Sequence, residues 1–315
     1  MRVLVAGATG AIGRPLTSAL VASRWEVIGI TSTERGVQTL RDKSAEAFLA
    51  DALDRNAIEA VIRKVRPEAV IDELTSLPKK YTPEEMRAAA ERDRKLRLVG
   101  GRNVQDAAIA AGARRYIVQS TGFFYAPGTG LATETEPLAS EASPGIAGSV
   151  RTYTQIEDRV LKAPDLEGIA LRYGFFYGPG TYHDPATGSV SQQVREQQYP
   201  VIGSGQGVFS FVHVEDAAVA TVAALEADPG VYNVVDDDPS DMSVWLPAFA
   251  RFLGASAPRE ITEAEALRTA GADSIYYATR LRGASNRRAK QKLGFAPRKL
   301  EWLFQDQNRA RFHPS

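Results

Sequence analysis

Residues 1–13 read MRVLVAGATGAIG, and this stretch decides the fold of the chain. The small and apolar run 3–6 is typical of a strand buried on both faces. Gly7, Gly10 and Gly13 follow with the spacing G-x-x-G-x-x-G, and apolar residues then return at helical spacing. A strand, a glycine turn and a helix N-terminus form a cradle for phosphate, because the glycines allow close approach and the helix offers free N–H groups. The stretch therefore predicts a dinucleotide-binding unit.

The composition limits the classes of protein to which this chain can belong. It has 315 residues, of which 44% are hydrophobic, enough for a large core with a smaller lobe beside it. Lys plus Arg equals Asp plus Glu at 38 each, which argues against nucleic acid or a membrane surface as a partner. Cysteine is absent and the three histidines are scattered, so we expect no metal site. Because the first strand begins near residue 2 and no apolar run approaches about 20 residues, we expect a cytoplasmic protein.

Strand and helix patterns alternate along the first half of the chain. Strands are predicted at 26–30, 47–50, 68–74, 115–119 and 168–173, and helices at 57–65, 84–112 and 154–161. The long helical region 84–112 is expected to be weakened at Gly100 and Gly101. The alternation predicts an α/β fold with a doubly wound parallel sheet, which is Rossmann-like.

The pattern changes after the sixth predicted strand, where turns, a polar helix and a further set of helices follow. We expect a dinucleotide-binding domain in residues 1–175, to which residues 208–235 return. Residues 176–207 and 236–315 are expected to form a smaller C-terminal substrate-binding lobe. Because no flexible linker separates these parts, the lobe should be interleaved with the main domain.

The tip of the second strand gives an expectation about the cofactor. An acid at this position would bind the ribose 2′-hydroxyl of NAD, but here Thr31 and Ser32 end the strand and Arg35 follows. Small hydroxyl residues near an arginine favour a 2′-phosphate, and therefore NADP over NAD. At the next strand tip, Asp51 and Ala52 are placed to contact the adenine, although Asp51 could instead cap the helix that follows.

Several stretches together resemble the extended short-chain dehydrogenase/reductase superfamily, specifically the NAD-dependent epimerase/dehydratase family. They are GATGAIG at 7–13, Asn103 with AAIAAGARRYIVQST at 107–121, ALRYGFFYGPGT at 170–181, FVHVEDAAVA at 211–220, VYNVVDDDP at 231–239 and SNRRAKQKLGFAPR at 285–298. The resemblance covers nearly the whole chain. It implies a homodimer through the helices near 84–112 and Tyr153. Together with the strand tips it gives these candidate cofactor-binding residues: Gly7, Thr9, Gly10, Ala11, Ile12, Gly13, Thr31, Ser32, Arg35, Asp51, Ala52, Leu74, Thr75, Ser120, Tyr173, Gly174 and Phe176.

The chain departs from the family where the chemistry is expected. The family uses a Ser or Thr after the fifth strand and a Tyr-x-x-x-Lys on the next helix, in which the lysine lowers the pKa of the tyrosine. Counting back four residues from Tyr125 places the hydroxyl at Thr121, with Ser120 as a second candidate. Tyr153 is the only tyrosine in the helix segment, and Glu157 stands where its lysine is expected. Tyr153 could act as the acid without a lysine, take the place of the lysine at the nicotinamide ribose, or serve in packing.

Other proton carriers are therefore candidates. Tyr182 and His183 lie in the loop after the sixth strand, and His183 beside Asp184 could be an acid or base with a pKa near neutrality. The alternative for His183 is an exposed surface residue. His213 lies in a strand pattern and is a weaker candidate for contact with a ligand.

Two FFY clusters, at 123–125 and 175–177, end neighbouring strands and predict an aromatic-lined pocket. Such a lining favours a substrate other than a nucleotide sugar. Two arginines in the later loop are candidates for binding a substrate anion, or form a solvated basic turn. The candidate substrate-binding residues are Phe123, Tyr125, Phe176, Tyr177, Arg280 and Arg282.

These features predict an NADP-dependent oxidoreductase that reduces or oxidises a small, partly apolar carbonyl or alcohol substrate with an altered Tyr–Lys dyad. One alternative is an epimerase, dehydratase or isomerase that retains its cofactor. A second alternative is a non-catalytic NADP-binding regulator, which the loss of the dyad would explain.

Overall fold

The computed structural model describes residues 1–304, and within them a seven-stranded parallel sheet forms the centre of the molecule. The strands, in chain order, are β1 (Arg2–Ala6), β2 (Glu26–Thr31), β3 (Glu46–Leu49), β4 (Ala69–Asp72), β5 (Arg115–Thr121), β6 (Glu167–Tyr173), β7 (Phe175–Tyr177), β8 (Val201–Ile202), β9 (Val208–Phe209), β10 (Phe211–His213), β11 (Gly230–Val234), β12 (Ser240–Asp241) and β13 (Glu260–Ile261). The sheet has the order β11-β6-β5-β4-β1-β2-β3. Because the order reverses between β1 and β4, a crevice opens there at the carboxyl ends of the strands.

Helices connect the strands and cover both faces of the sheet. They are α1 (Gly13–Ala22), α2 (Glu34–Arg41), α3 (Arg55–Val65), α4 (Pro83–Lys95), α5 (Gly101–Ala110), α6 (Pro144–Leu161), α7 (Ser189–Arg195), α8 (Val214–Ala224), α9 (Met242–Phe252), α10 (Glu263–Thr269), α11 (Ala272–Arg280) and α12 (Arg287–Leu293). A π-helical turn, Leu96–Gly100, joins α4 to α5. The predicted α/β class with a doubly wound parallel sheet is confirmed, and the helical region is irregular next to Gly100 and Gly101, as its sequence indicates.

Alternate residues of each strand pack on opposite faces. Val3 and Val5 of β1 join the core beneath α1 and α8, whereas Leu4 and Ala6 join the core beneath α3, α5 and α6. All four side chains are essentially inaccessible to solvent, which is why this strand reads as one continuous apolar run.

A third core of buried residues lies in the later part of the chain. Trp245 and Phe249 of α9 pack there with Phe209 and Phe211, and Phe175 of β7 joins them. Three two-stranded ribbons, β10 with β7, β12 with β9 and β13 with β8, tie distant segments together around this core. The division into two domains stays a prediction, and His313 lies outside the described residues.

Several predicted boundaries are wrong for identifiable reasons. Helix α6 begins at Pro144, ten residues before the predicted start, because proline is well tolerated in the first turn of a helix. The apolar segment 208–213 is divided into two strands at Ser210, since β9 pairs with β12 while β10 pairs with β7. Strand β4 ends at Asp72, whose own side chain accepts the N–H of Leu74 at 3.1 Å. The sequence pattern does not predict helix α11. None of the helices in residues 1–304 is long and apolar enough to cross a membrane.

Candidate active site

The glycine turn between β1 and α1 leaves no room for side chains at two positions. Gly7 has a φ of +82°, and a Cβ there would lie 2.5 Å from the carbonyl oxygen of Glu73. A Cβ on Gly13 would collide with the carbonyl oxygen of Gly7 and lie 2.6 Å from the carbonyl carbon of Ala8. The N–H of Gly10 closes the turn by donating to Gly7 at 3.0 Å. A cradle this close to backbone at the N-terminus of α1 fits the pyrophosphate of a dinucleotide.

The remaining residues of the turn and the tips of β2 and β3 surround this cradle. Ala11 is exposed and Ile12 is buried, while the Thr9 hydroxyl lies 3.5 Å from that of Thr31. Ser32 and Arg35 are exposed just beyond the buried Thr31. Thr31, Ser32 and Arg35 therefore lie at the end of β2, the neighbour of β1, and their roles in cofactor binding stay predictions.

The tip of β3 is fixed by its neighbours. Asp51 is exposed and its carboxylate accepts the N–H of Leu53 at 2.9 Å, so it shapes the local turn. Ala52 is buried, and its carbonyl accepts the side-chain amide of Asn103 at 2.9 Å. Asn103, identified only through the family resemblance, thus connects α5 to the tip of β3.

Two acids that the cofactor prediction did not include lie at the end of β4. Asp72 is the last residue of the strand and Glu73 follows it, just before the half-buried Leu74 and Thr75. Asp72 accepts the hydroxyl of Tyr116 at 2.9 Å and lies 3.7 Å from Arg159. Burial raises the pKa of Asp72, and the Arg159 charge opposes this rise. Glu73 points to the other face, where the Tyr173 hydroxyl donates to it at 3.0 Å. Burial raises the pKa of Glu73 to about 8.

Glu73 should therefore make the stability of the protein depend on pH. Its folded pKa lies above the ordinary value of 4.5, so its contribution is complete below about pH 4.5 and is lost as the pH rises towards 8. We expect Glu73→Gln to be more stable than the wild type at pH 8 by a few kcal/mol, at about 1.4 kcal/mol per pKa unit. The two proteins should differ little near pH 4.5.

Urea unfolding at the two pH values measures this difference. Glu46→Gln, which changes an exposed acid on β3, is the matched control. Equal pH dependence in the Glu73 variant and the wild type would show that this carboxyl is not the source.

Ser120 takes part in a buried network with the residue that replaces the expected lysine. Its hydroxyl donates to Glu157 at 2.5 Å, and Arg172 of β6 binds both carboxylate oxygens of Glu157 at 2.8 and 2.7 Å. Arg172 also donates to the Tyr125 hydroxyl at 2.8 Å, and Tyr125 donates to Asn233 at 2.6 Å. Charge-assisted bonds of this kind are strong when they are buried. The hydroxyls of Ser120 and of the wholly buried Tyr125 are thus already hydrogen-bonded to other groups of the protein.

Thr121 and Tyr153 are the hydroxyl residues that this network leaves available. The Thr121 hydroxyl is buried and bonds to no group among residues 1–304. Tyr153 is half-buried on α6, and its ring lies 6.2 Å from that of Phe124. Burial raises the pKa of Tyr153, whereas the guanidinium of Arg97, 5.1 Å above the ring, opposes the rise.

Half-buried aromatic rings from separate segments lie near Phe123 and Phe175, which follow the carboxyl ends of β5 and β6. Phe123 stacks on Phe175 at 4.1 Å, and Tyr277 of α11 lies 6.0 Å from Phe175. Tyr81 and Tyr182 are 5.1 Å apart, centroid to centroid. We name this set the aromatic wall; its members are Tyr81, Phe123, Tyr153, Tyr182, Tyr199 and Tyr277, all half-buried and packed on the third core.

The structure corrects the expected surroundings of two candidates. His183 is neither exposed nor near neutrality, because it is buried among Phe211, Trp245 and Phe249 and burial lowers its pKa to about 4. Its Nδ1 lies 3.2 Å from the carbonyl of Phe176. Tyr177 is also buried, with its ring 5.0 Å from that of His213, which caps α8 by accepting the N–H of Glu215.

The remaining candidates differ in their exposure. Tyr182 donates its hydroxyl to the carbonyl of Pro78 at 2.5 Å, and Phe176 is half-buried beside Tyr173. Gly174 lies against the backbone of Ser210. A Cβ on Gly174 would lie 2.5 Å from the carbonyl oxygen of Ser210. Arg280 is exposed at the end of α11.

Arg282, a candidate for binding a substrate anion, instead uses its guanidinium in contacts within the protein. It donates to the carbonyls of Gly130 and Thr129 at 2.9 Å each and pairs with Glu136. Its donors therefore hold the loop between β5 and α6.

Sequence and structure together define a class of protein: a doubly wound α/β fold with a dinucleotide cradle beside hydroxyl and aromatic side chains. The model of the NAD dependent epimerase/dehydratase family matches residues 3–234, and the chain belongs to this family. The expected family membership is thus confirmed.

Individual relatives refine this assignment. A "3-diazoavenalumate denitrifying reductase" from a Streptomyces species is 39% identical over 305 residues, covering 96% of this chain and 98% of the relative. The UDP-glucose 4-epimerase of Thermotoga maritima, solved with UDP-glucose, has a TM-score of 0.74 at 22% identity, covering 99% of this chain and all of that one. The UDP-glucose 4-epimerase of Thermus thermophilus, solved with NAD, has a TM-score of 0.70 at 26% identity, covering 95% and 94%. These similarities support a nicotinamide dinucleotide cofactor and an oxidoreductase-like function.

Sequence reasoning missed some site residues whose signals were present. Arg172 is a charge inside an otherwise apolar strand, and a buried charge requires a partner. Glu73 likewise ends the apolar run of β4. Arg97 had no such signal, because it lies within a segment dense in exposed charges.

Proposed function

We propose that this protein is an NADPH-dependent reductase that removes a diazo group from an aromatic substrate. The aromatic wall beside the dinucleotide cradle carries the proposal, because planar rings bind well against partly exposed aromatic side chains. The similarity over nearly the whole chain to a relative named as a denitrifying reductase of a diazo compound supports a diazo group as the reactive group. A diazo group on an aromatic ring is stabilised by an oxygen conjugated with it, and we take the ortho-diazo phenols as the substrate class.

The altered dyad is consistent with this chemistry. A bound reduced nicotinamide supplies a hydride. The ring carbon gains that hydrogen, its bond to nitrogen breaks, N2 leaves, and the neighbouring oxygen becomes a phenolate that takes one proton. A phenolate, with a conjugate acid of pKa about 10, is a far weaker base than the alkoxide formed in carbonyl reduction. The reaction can therefore proceed with a less acidic proton donor than the tyrosine of the family's usual Tyr–Lys dyad.

The chain's own residues would orient the substrate and donate the proton. Thr121, at the end of β5, offers a buried hydroxyl to the substrate oxygen. Tyr153 faces the same region next to Phe124 and remains protonated at neutral pH, since burial raises its pKa. Phe123 and Tyr277 would hold the ring between α11 and β7.

A substrate panel tests the proposal. We expect purified protein to consume NADPH and release N2 in a one-to-one ratio with an ortho-diazo phenol, measured by absorbance and by mass spectrometry of 15N-labelled gas. Tyr277→Leu should raise KM for the diazo phenol about tenfold and leave that for NADPH unchanged, because only the wall changes. Phe48→Leu, which changes a half-buried ring on β3 outside the wall, is the control. Epimerisation of UDP-glucose without any diazo reduction would refute the proposal, as would cofactor binding with no chemistry across the panel.

The choice of NADP over NAD forms a separate prediction. The exposed Ser32 and Arg35 follow β2 with no acid at its tip, which suits a 2′-phosphate, although the Thermus thermophilus relative is solved with NAD. We expect NADPH to bind at least about tenfold more tightly than NADH, a difference of about 1.4 kcal/mol. Arg35→Ala should remove most of this preference, whereas Arg41→Ala, at the other end of α2, should not. Calorimetric titration with each cofactor measures the two affinities. Tighter binding of NADH than of NADPH by the wild type would contradict the predicted preference.

A further inference from the structure

We propose that Arg97, on the π-helical turn between α4 and α5, is the cation that assists Tyr153, and that it takes the place of the lysine missing from α6. Arg97 acts as a positioning residue, because it works through Tyr153 and does not itself react. This inference rests on the proposed function for the proton that Tyr153 delivers. The pairing of Arg97 with Tyr153 stands on contacts that are independent of the substrate.

Helix α6 has no basic residue of its own for this task. Its residues 144–161 contain no lysine, and position 157 carries a glutamate bonded to Ser120 and Arg172. Of its two arginines, Arg151 is exposed and Arg159 faces Asp72 at 3.7 Å. A cation for Tyr153 must therefore come from another element.

Arg97 supplies such a cation from the neighbouring helix. Its guanidinium carbon lies 5.1 Å from the centre of the Tyr153 ring, within the range of a cation–π contact. The Arg97 side chain is only 5% exposed, and its Nε donates to Asp93 at 2.7 Å. Asp93 in turn accepts the N–H of Ser76 at 2.6 Å, so the loop after β4 is fixed to the same group.

The π-helical turn explains why Arg97 is held in this position. A π-turn widens the helix and changes the direction of its side chains, and such turns are frequent at functional sites. Arg159 stabilises the turn by donating to the carbonyls of Arg97 and Leu98 at 3.4 and 3.2 Å. Because Arg159 is also held by Asp72, the direction of Arg97 is linked to the end of β4.

The local charges favour Tyr153 as a proton donor. Burial raises the pKa of Tyr153, the Arg97 charge lowers it and the Asp93 charge raises it. Tyr277 and Phe124 complete the surroundings of the ring. Tyr153 thus stays protonated in the resting site, and Arg97 stabilises the phenolate that forms when the proton leaves.

The reaction step balances with this assignment. A C–H bond forms from the hydride of NADPH, the C–N bond breaks and N2 leaves. The proton of Tyr153 passes to the substrate oxygen, and Tyr153 regains a proton from water. Arg97 keeps its own protons throughout.

A fluorine label separates this inference from the proposed function. 3,5-Difluorotyrosine, which has a more acidic phenol, is placed at position 153 and titrated by 19F NMR without substrate. We expect Arg97→Met to raise the pKa of the label by about one to three pKa units. In Arg97→Lys the pKa of the label should return most of the way to the wild-type value. Arg94→Met, which changes an exposed arginine of α4 that pairs with Glu91, should leave the pKa of the label unchanged.

Activity provides the second measurement. Arg97→Met should lower kcat at least tenfold with little change in KM for NADPH, and Arg97→Lys should recover it. If Arg97→Met does not fold, Arg97→Met with Asp93→Asn removes both charges, and a smaller rise is expected. An unchanged titration of the label in these variants would overturn the inference, even if diazo reduction is observed. A shifted titration without diazo reduction would support Arg97 as the cation and refute only the proposed substrate.

Discussion

Replacement of Glu157 with leucine is expected to lower the free energy of unfolding by about 3–5 kcal/mol, because it leaves Arg172 as an uncompensated buried charge. Both side chains are 7% exposed, and Ser120 would lose its acceptor in the same substitution. Urea denaturation monitored by circular dichroism measures the effect.

Two further variants make this expectation specific. Glu157→Leu combined with Arg172→Leu should regain much of the lost stability, since apolar side chains replace a buried pair at little cost. Glu91→Gln breaks the exposed pair with Arg94 and should leave the free energy of unfolding nearly unchanged, because solvent screens such a pair. A Glu157→Leu protein as stable as the Glu91 variant would mean that the buried pair contributes little.

Replacement of Gly13 with alanine is expected to weaken the binding of nicotinamide dinucleotide at least about 100-fold, a change of about 2.7 kcal/mol. The added Cβ would collide with the carbonyl oxygen of Gly7 and the backbone of Ala8, so α1 must move away from β1. This movement withdraws the helix N-terminus from the phosphates. Isothermal titration calorimetry with NADP and NAD gives the change in affinity.

Gly148→Ala is the control for this substitution. Its Cβ would meet only the end of the Arg151 side chain, at 3.7 Å, so α6 should accept it without loss of binding. Thermal unfolding without cofactor checks that the Gly13 variant is folded. Unchanged affinity in a folded Gly13→Ala protein would place the cofactor elsewhere.

The sheet could be predicted from the sequence because its signals are local. A buried strand followed by Gly7 and an amphipathic helix has few structural alternatives, and alternating strands and helices restrict the order in which strands can pair. The late start predicted for α6 has a local cause too. The segment before Tyr153 contains Gly145 and Gly148, which weaken the helical pattern although Ile146 and Val150 pack into the core.

The candidate site could be predicted only in part, because its contacts join residues that are distant in sequence. Glu157 interrupts the Tyr-x-x-x-Lys pattern visibly, but its bond to Arg172 depends on how α6 packs against β6. The burial of His183 depends on α9, which follows it by about sixty residues and brings Trp245 and Phe249 against the ring. Arg97 contacts the ring of Tyr153 from the π-helical turn between α4 and α5, and no periodicity in the sequence reveals that turn.

The strand order also determines when the protein can fold during synthesis. Val3 of β1 pairs with Val27 of β2 early, but its other neighbour, Ala69, is made much later. β6 likewise waits for β11, which is made after a comparable length of chain and whose Val234 pairs with Tyr173. Non-local pairing of this kind slows folding and exposes strand edges while the chain is incomplete. β1 thus becomes an interior strand of the sheet only late, and one of its edges stays unpaired until β4 has been made.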